Sequence, residues 1–330
     1  MPTPHDEFFR TVFSEPEAAR DLVRSAVAAE RLARLDLETL TIANASFTDE
    51  ESRPGAADLL LRVSARAARA GASRELSEAF IYILFEHKSF ADPKTLLQLL
   101  RYMTRIWDRY RRENSSGLLP PVLPIIVFHG SAPWSGPRAF KDTVQSHGNY
   151  VPHIPDFIPI LFDLVTTSDD ALPEDFPARF AMRLLKYARR DWRQTAAVLA
   201  DGEAHLRAGS NAASIVRAGL RYTHAVSTSE AYGSIMKTLK EVRAPMVEKE
   251  FVSAAEAFQR EGEQRGRIQG KQQVLARHVE RKFGLLSGER LRIEAERDPE
   301  TLDAALDAVL FAESKEEVLS HLERPASPDS

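Results

Sequence analysis

"FIYILFEHKS", residues 80–89, decides the fold of this chain. It opens as an apolar run of aromatic and β-branched residues suited to a buried strand, and it ends with Glu86 and Lys88 two positions apart. Side chains alternate across a strand, so Tyr82, Leu84, Glu86 and Lys88 share one face while Ile81, Ile83, Phe85 and His87 share the other. Two opposite charges thus leave one face of a strand whose other positions are core. A buried strand carries charge only where something pairs it or uses it.

Working outward, "PKTLLQLLRYMTRIWDRYRREN" (93–114) carries Leu96, Leu99, Leu100, Met103, Ile106, Trp107 and Tyr110 as one helical stripe. "LPIIVFHGS" (123–131) follows as a further strand that ends in a glycine-containing turn. Upstream, "ADLLLRV" (57–63) is short and apolar after the turn-forming "RPG", and predicts the strand before the central one. "SEPEAARDLVRSAVAAERL" predicts a helix with a capping box, Ser14 to Glu17, and apolar residues at helical spacing through Leu32. Helix, paired strands, helix and strand argue for an α/β core covered by helices.

From about residue 177 almost everything reads as helix, beginning with "PARFAMRLLKYARRDWRQ" and Pro177 in a first turn. Further on, Gly262, Gly266 and Gly270 recur every four residues in a polar helical pattern, where glycine weakens a helix unless another backbone packs closely. "DPETLDAALDAVLFAESKEEVLSHL" predicts a small helical pair, and "ERPASPDS" a loose tail. The expected organisation is a core domain over 1–200, a helical extension over 201–250, a glycine-spaced helix over 251–284, the helical pair over 285–322 and the tail over 323–330.

Composition removes whole classes of chemistry. The 330 residues, 43% hydrophobic and 28% charged, describe a folded globular chain. With no cysteine, disulfides, thiol nucleophiles and cysteine-bound zinc or iron–sulfur centres are excluded. The opening "MPTPHDEFFR" has no basic region leading into an apolar stretch, and "LLPPVLPIIVF" is short and broken by proline, so a cytoplasmic protein with no membrane partner is expected. A formal net charge of −4 gives no global attraction to nucleic acid, which leaves local basic patches. "GRIQGK" has the wrong glycine spacing for a phosphate loop, and no Ser or Thr follows Lys271. No serine stands in a nucleophile elbow, and the histidines show no metal-ligand spacing. His87 reads as a packed residue facing away from Glu86, and His129 as a minor candidate at a strand end.

The same alternation groups Asp58 with Leu60 and Arg62, and residues 64–79 are long enough to return the chain and bring Asp58 beside Glu86. Two carboxylates with a lysine at their edge suit a hard cation such as magnesium. The alternative is a Glu86–Lys88 salt bridge at a strand end, with Asp58 merely opening a strand. Asp6 and Glu7 offer an acid from the first helix, or simply favourable charges at a helix start. Two helices are locally basic: Arg101, Arg105, Arg109, Arg111 and Arg112 on one, and Arg179, Arg183, Lys186, Arg189, Arg190 and Arg193 on the other. Either offers phosphate contacts or a solvated face.

"HDEFFRTVFSEPE", "AADLLLRV", "IYILFEHKS", "QLLRYMTRIWDRY" and "PIIVFHGSAPW" stand in one order over residues 5–190. Together they resemble the recombination-promoting nuclease family, also described as YhgA-like transposases, within the PD-(D/E)XK nuclease superfamily. The resemblance implies a restriction-endonuclease-like core, a mixed sheet flanked by helices, followed by a mostly helical C-terminal part. It implies a DNA endonuclease that uses magnesium, with manganese or calcium as substitutes. Asp58 and Glu86 would be its metal ligands and Lys88 its third catalytic residue. The first motif here is "AAD" rather than Pro-Asp, and Lys88 stands where this family often carries glutamine. Gln98 and Tyr102 are similar to a Gln-x-x-x-Tyr helix motif of some superfamily members, and Arg183, Lys186, Arg189 and Arg190 are the expected DNA contacts. The partner so implied is DNA; the Gly262, Gly266 and Gly270 spacing adds association of the C-terminal helices with a second copy or another partner. A non-cleaving DNA-binding adaptor and a transposase acting on specific ends are the alternatives.

Overall fold

The computed structural model describes residues 3–43, 59–65, 77–86, 92, 94–114, 117–145, 148–208 and 211–323. The chain divides into two compact units, Met1–Ala254 and Ala255–Ser330. The first is built on a five-stranded sheet: β1 (Leu35–Ala43), β2 (Leu59–Ala65), β3 (Ser77–Glu86), β4 (Val122–Phe128) and β5 (Ile160–Asp163), in that spatial order. The first three strands pair antiparallel and the last three parallel.

Three helices precede or flank β1: α1 (Pro4–Phe13), α2 (Pro16–Ala26) and α3 (Ala29–Leu32). Thr3 and Asp6 close a capping box on α1, each side chain accepting from the other's backbone N–H. The capping box expected from Ser14 and Glu17 does not form. Ser14 is the C-cap of α1 instead, and α2 starts on Pro16 with Glu15 as an N-cap that makes no side-chain bond. The sequence pattern gives no sign of β1. This strand carries an irregularity between Asp36 and Thr41, where the Thr39 hydroxyl accepts from Ser64 N at 2.9 Å in place of a ladder carbonyl.

A parallel pair needs a crossover, and α4 (Thr95–Glu113) supplies it between β3 and β4. Its buried stripe, Leu96, Leu99, Met103 and Ile106, is the one its periodicity predicts. Leu96, Leu99 and Ile106 pack with Leu60, Ile126 and Phe128 on one face of the sheet. The alternate positions, Leu59, Leu61, Val63, Ile125, Val127 and Phe162, enter the larger core on the opposite face. Both faces of β4 are therefore covered, and it reads as an uninterrupted apolar run.

The larger core is completed by helices distant in sequence: α5 (Ala178–Tyr187), α6 (Trp192–Asp201), α7 (Glu203–Ala208), α8 (Asn211–Val226), α9 (Ser229–Glu241) and the first turns of α10 (Pro245–Phe283). α8 approaches α5 closely at Gly219, where a methyl group would stand 2.7 Å from both Leu184 Cδ1 and Phe180 Cε1. No helix among the described residues is long and apolar enough to cross a membrane.

The second unit packs the later part of α10 with α11 (Ser287–Ala295), α12 (Pro299–Phe311) and α13 (Lys315–Ser320). Its core includes Leu275, Val279, Ile293, Leu302, Val309 and Val318. Lys282 donates to the carbonyls of Val309 and Leu310 and so closes the C-terminal end of α12. At Gly262, Gly266 and Gly270 a Cβ would meet nothing within 4 Å, so no backbone among the described residues packs on them.

These glycines differ in what fixes them. Gly219→Ala forces atoms into a filled core and is expected to lower stability by about 1–3 kcal/mol. Gly266→Ala adds a methyl group to open space and removes glycine's entropic penalty in a helix, a gain of about 0.5–1 kcal/mol. Urea unfolding of both variants beside the parent chain reads the opposite signs.

Candidate functional site at the carboxyl edge of the sheet

The parallel register aligns Glu86 with Phe128 and Phe128 with Asp163, so β3, β4 and β5 end in one row. In open sheets the carboxyl ends of parallel strands form the edge where ligands bind. Asp58, Lys88 and His87 lie outside the described residues. Glu86 is placed here by its backbone, at the last position of β3. Opposite Tyr82, Leu84 and Glu86 stand Pro124, Ile126 and Phe128, and the last two pack in the cluster that α4 covers. Gln98 and Tyr102 lie on that helix, both half-buried, and Tyr102 packs against the same cluster.

Asp163, at the end of β5, is occupied structurally. It is 9% exposed and accepts from Trp134 N and Val165 N at 2.9 Å each. Asp6 is likewise buried, in the capping box of α1, whereas Glu7 is exposed. Among the described residues no group of three or more His, Asp or Glu side chains is arranged to hold a metal ion.

Behind the row of strand ends lies a buried polar cluster. His129 directly follows β4 and is 7% exposed; His5, in the first turn of α1, is 6% exposed. Their rings stand 4.9 Å apart. His5 Nδ1 shares a hydrogen bond of 3.1 Å with the Tyr222 hydroxyl from α8, and Tyr222 stacks on Phe8. Burial raises the pKa of the Tyr222 phenol well above its ordinary value, against the opposing positive charge of Arg189. Neither His5 nor Tyr222 stands out in the sequence. The available signal is polar side chains set in apolar helical runs, "HDEFF" and "AGLRYTHAV".

The basic helix α5 divides its charges. Lys186, 8% exposed, donates from Nζ to Asp169 Oδ1 and to the carbonyl of Thr167, both at 2.7 Å. Tyr187 donates to the same Oδ1 at 2.7 Å, and Arg183 pairs with Asp169 and Asp201 at 3.0 Å each. Arg179 donates to the carbonyls of Asp169 and Pro173. Of the four residues expected on DNA, Arg183 and Lys186 are thus committed inside the fold, and a phosphate would have to displace their carboxylate. Arg189 is exposed, whereas Arg190, exposed over most of its length, donates from Nε and Nη2 to the Lys186 carbonyl. Burial lowers the pKa of the Arg190 guanidinium, opposed by the charges of Tyr187 and Asp163.

The model of the family described as "Putative transposase, YhgA-like" matches residues 3–214. The recombination-promoting nuclease RpnD of Escherichia coli O157:H7 is 31% identical over 136 residues, 40% of this chain and 49% of that protein. The chain thus spans about half the length of that relative. The recombination-promoting nuclease RpnA of Escherichia coli K12 is 24% identical over 274 residues, 79% of this chain and 85% of its own. The inactive recombination-promoting nuclease-like protein RpnE of the same strain is 27% identical over 128 residues, 39% of this chain and 40% of its own. No solved structure matches.

Asp169 is the hub of the α5 network. Burial raises its pKa, but the hydrogen bonds from Lys186, Tyr187 and Arg183 and the charge of Lys186 outweigh burial and leave it below the ordinary carboxylate value. A folded-state pKa below the unfolded one contributes stability above the unfolded value, and that contribution is lost as pH falls through the folded one. Asp169→Asn is expected to cost about 1–2 kcal/mol at pH 7, after allowance for solvent screening. In chemical unfolding the two chains should converge on acidification below the folded-state pKa.

Proposed function

The chain belongs to the YhgA-like transposase family, and from that premise we propose that it is a magnesium-dependent DNA endonuclease that promotes recombination. The observation that carries the reading is the row of strand ends: an antiparallel-then-parallel sheet, crossed over by α4, that sets Glu86 at the carboxyl edge opposite Phe128. Two relatives named as recombination-promoting nucleases support it. The strand order and single crossover helix also support a restriction-endonuclease-like core of the PD-(D/E)XK kind.

In this reading Asp58 and Glu86 hold the cation, a donor set of hard carboxylate oxygens that fits magnesium and admits manganese or calcium. A magnesium ion bound there would polarise the phosphodiester and lower the pKa of an attacking water. Lys88 carries three N–H donors and no acceptor, so it acts on the water or on a phosphate oxygen, stabilising the charge that develops during hydrolysis. Gln98 and Tyr102 support that edge from α4. Arg189 and Arg190 hold flanking phosphates, an electrostatic contact indifferent to base sequence. A second reading, a DNA-binding adaptor without cleavage, is favoured by one observation, the resemblance to a relative named as inactive.

Plasmid nicking with and without magnesium decides between them. The parent chain should cleave, and Asp58→Ala should not, while its stability changes by about 0–1 kcal/mol. Lys88→Ala should lower the rate on the order of 100-fold and leave metal affinity unchanged. Cleavage by Asp58→Ala would remove the site assignment, and no cleavage by the parent with any divalent cation would favour the adaptor.

Reversing the charge of Arg189 and Arg190 together should weaken DNA binding across unrelated sequences. The log–log salt slope should fall by roughly 2, since each phosphate that a cation no longer neutralises lowers it by about 0.9. Titrations at several salt concentrations measure it, and an unchanged slope would make these arginines a solvated face.

A further inference from the structure

His5, Tyr222 and His129 come from three elements that meet behind the strand ends. His5 and Tyr222 are 217 residues apart in the chain and joined by one hydrogen bond. All three are nine-tenths or more buried, at 6%, 2% and 7% exposure. Apolar residues would fill such a volume without the desolvation that a phenol and two imidazoles incur. A hydrogen bond and ring contacts add what an apolar filling lacks, a preferred direction. His129 follows Phe128, the register partner of Glu86, so a shift of His129 passes through one peptide unit and one ladder step to the end of β3.

We infer that His5, Tyr222 and His129 form a clamp that fixes the carboxyl ends of β3 and β4, which makes them positioning residues for Glu86. The catalytic consequence rests on the proposed nuclease reading; the clamp itself does not. It ties α8, from the helical part of the first unit, to the strand edge, with Phe8 stacked at 4.8 Å on Tyr222 as its apolar backing.

Tyr222→Phe keeps the ring and its stack and deletes only the hydroxyl. In the full chain, amide hydrogen exchange should speed up about tenfold at residues 83–86 and 125–128. The change should stay under about twofold at the starts of the same strands and in α6. Uniform acceleration over the whole first unit would reduce the cluster to ordinary core packing, and unchanged exchange at the strand ends would equally overturn the clamp. Should Tyr222→Phe not fold, His129→Asn leaves the His5–Tyr222 bond in place and is read on the same amides with the same expectation. Cleavage kinetics supply the second readout: kcat is expected to fall about tenfold with KM for DNA unchanged, a split that loss of stability alone does not produce when rates are taken well below the unfolding temperature. Wild-type kcat in folded Tyr222→Phe would leave no positioning role. If the parent chain cleaves no DNA, the nuclease reading fails, and the exchange pattern still decides the clamp.

Discussion

The pairing of β3 with β4 is the constraint on which the rest of the first unit depends. Parallel strands cannot be joined by a tight turn, so the chain must leave the sheet, cross one face and return, and α4 is the length of helix that does so. Once α4 covers that face, the alternate residues of β2 and β4 face a second layer, and α1, α2 and the helices from α5 to the start of α10 supply it. The same pairing aligns the last residues of three strands. Polar groups gather there because a strand end is where an all-apolar β4 first meets backbone that the ladder no longer satisfies.

Local patterns are legible in the sequence, and long-range pairings are not. The α4 stripe is readable because four buried side chains, Leu96 to Ile106, repeat at helical spacing over about three turns. β3 and β4 are readable because both faces of β4 are covered and its apolar run is unbroken. β1 is not: "LDLETLTIA" mixes charge and hydroxyl residues on an outer strand that buries only Leu40 among its nine positions. β5, four residues long behind "PDFIP", is shorter than any periodicity can reveal. The boundary at Ser14 misleads because the residue fits two roles, and the proline at residue 16 decides for the later helix start.

At the candidate site the position of Glu86 at a strand end follows from alternation alone, and the row it joins needs the register. The basic run of α5 illustrates the limit. Arg183, Lys186, Arg189 and Arg190 are alike in sequence, but Asp169 lies 14 to 17 residues before the first two and takes them into the fold. Which of a set of like charges remains outside is a property of the tertiary partner, not of the run. His5 and Tyr222 make the same point for polar groups, since nothing within either helix names the other.

The two margins of the sheet bear on how the protein behaves at high concentration. An outer strand exposes unpaired backbone groups that can template another chain. Here one margin is β1, irregular between Asp36 and Thr41 and carrying exposed Glu38 paired with Arg20 and Arg24. The other is β5, with four residues to offer. Neither presents a long, flat, apolar ladder, so the sheet is a poor seed for edge-to-edge growth, and the apolar β4 lies inside the sheet with Ile125 to Phe128 paired on both sides.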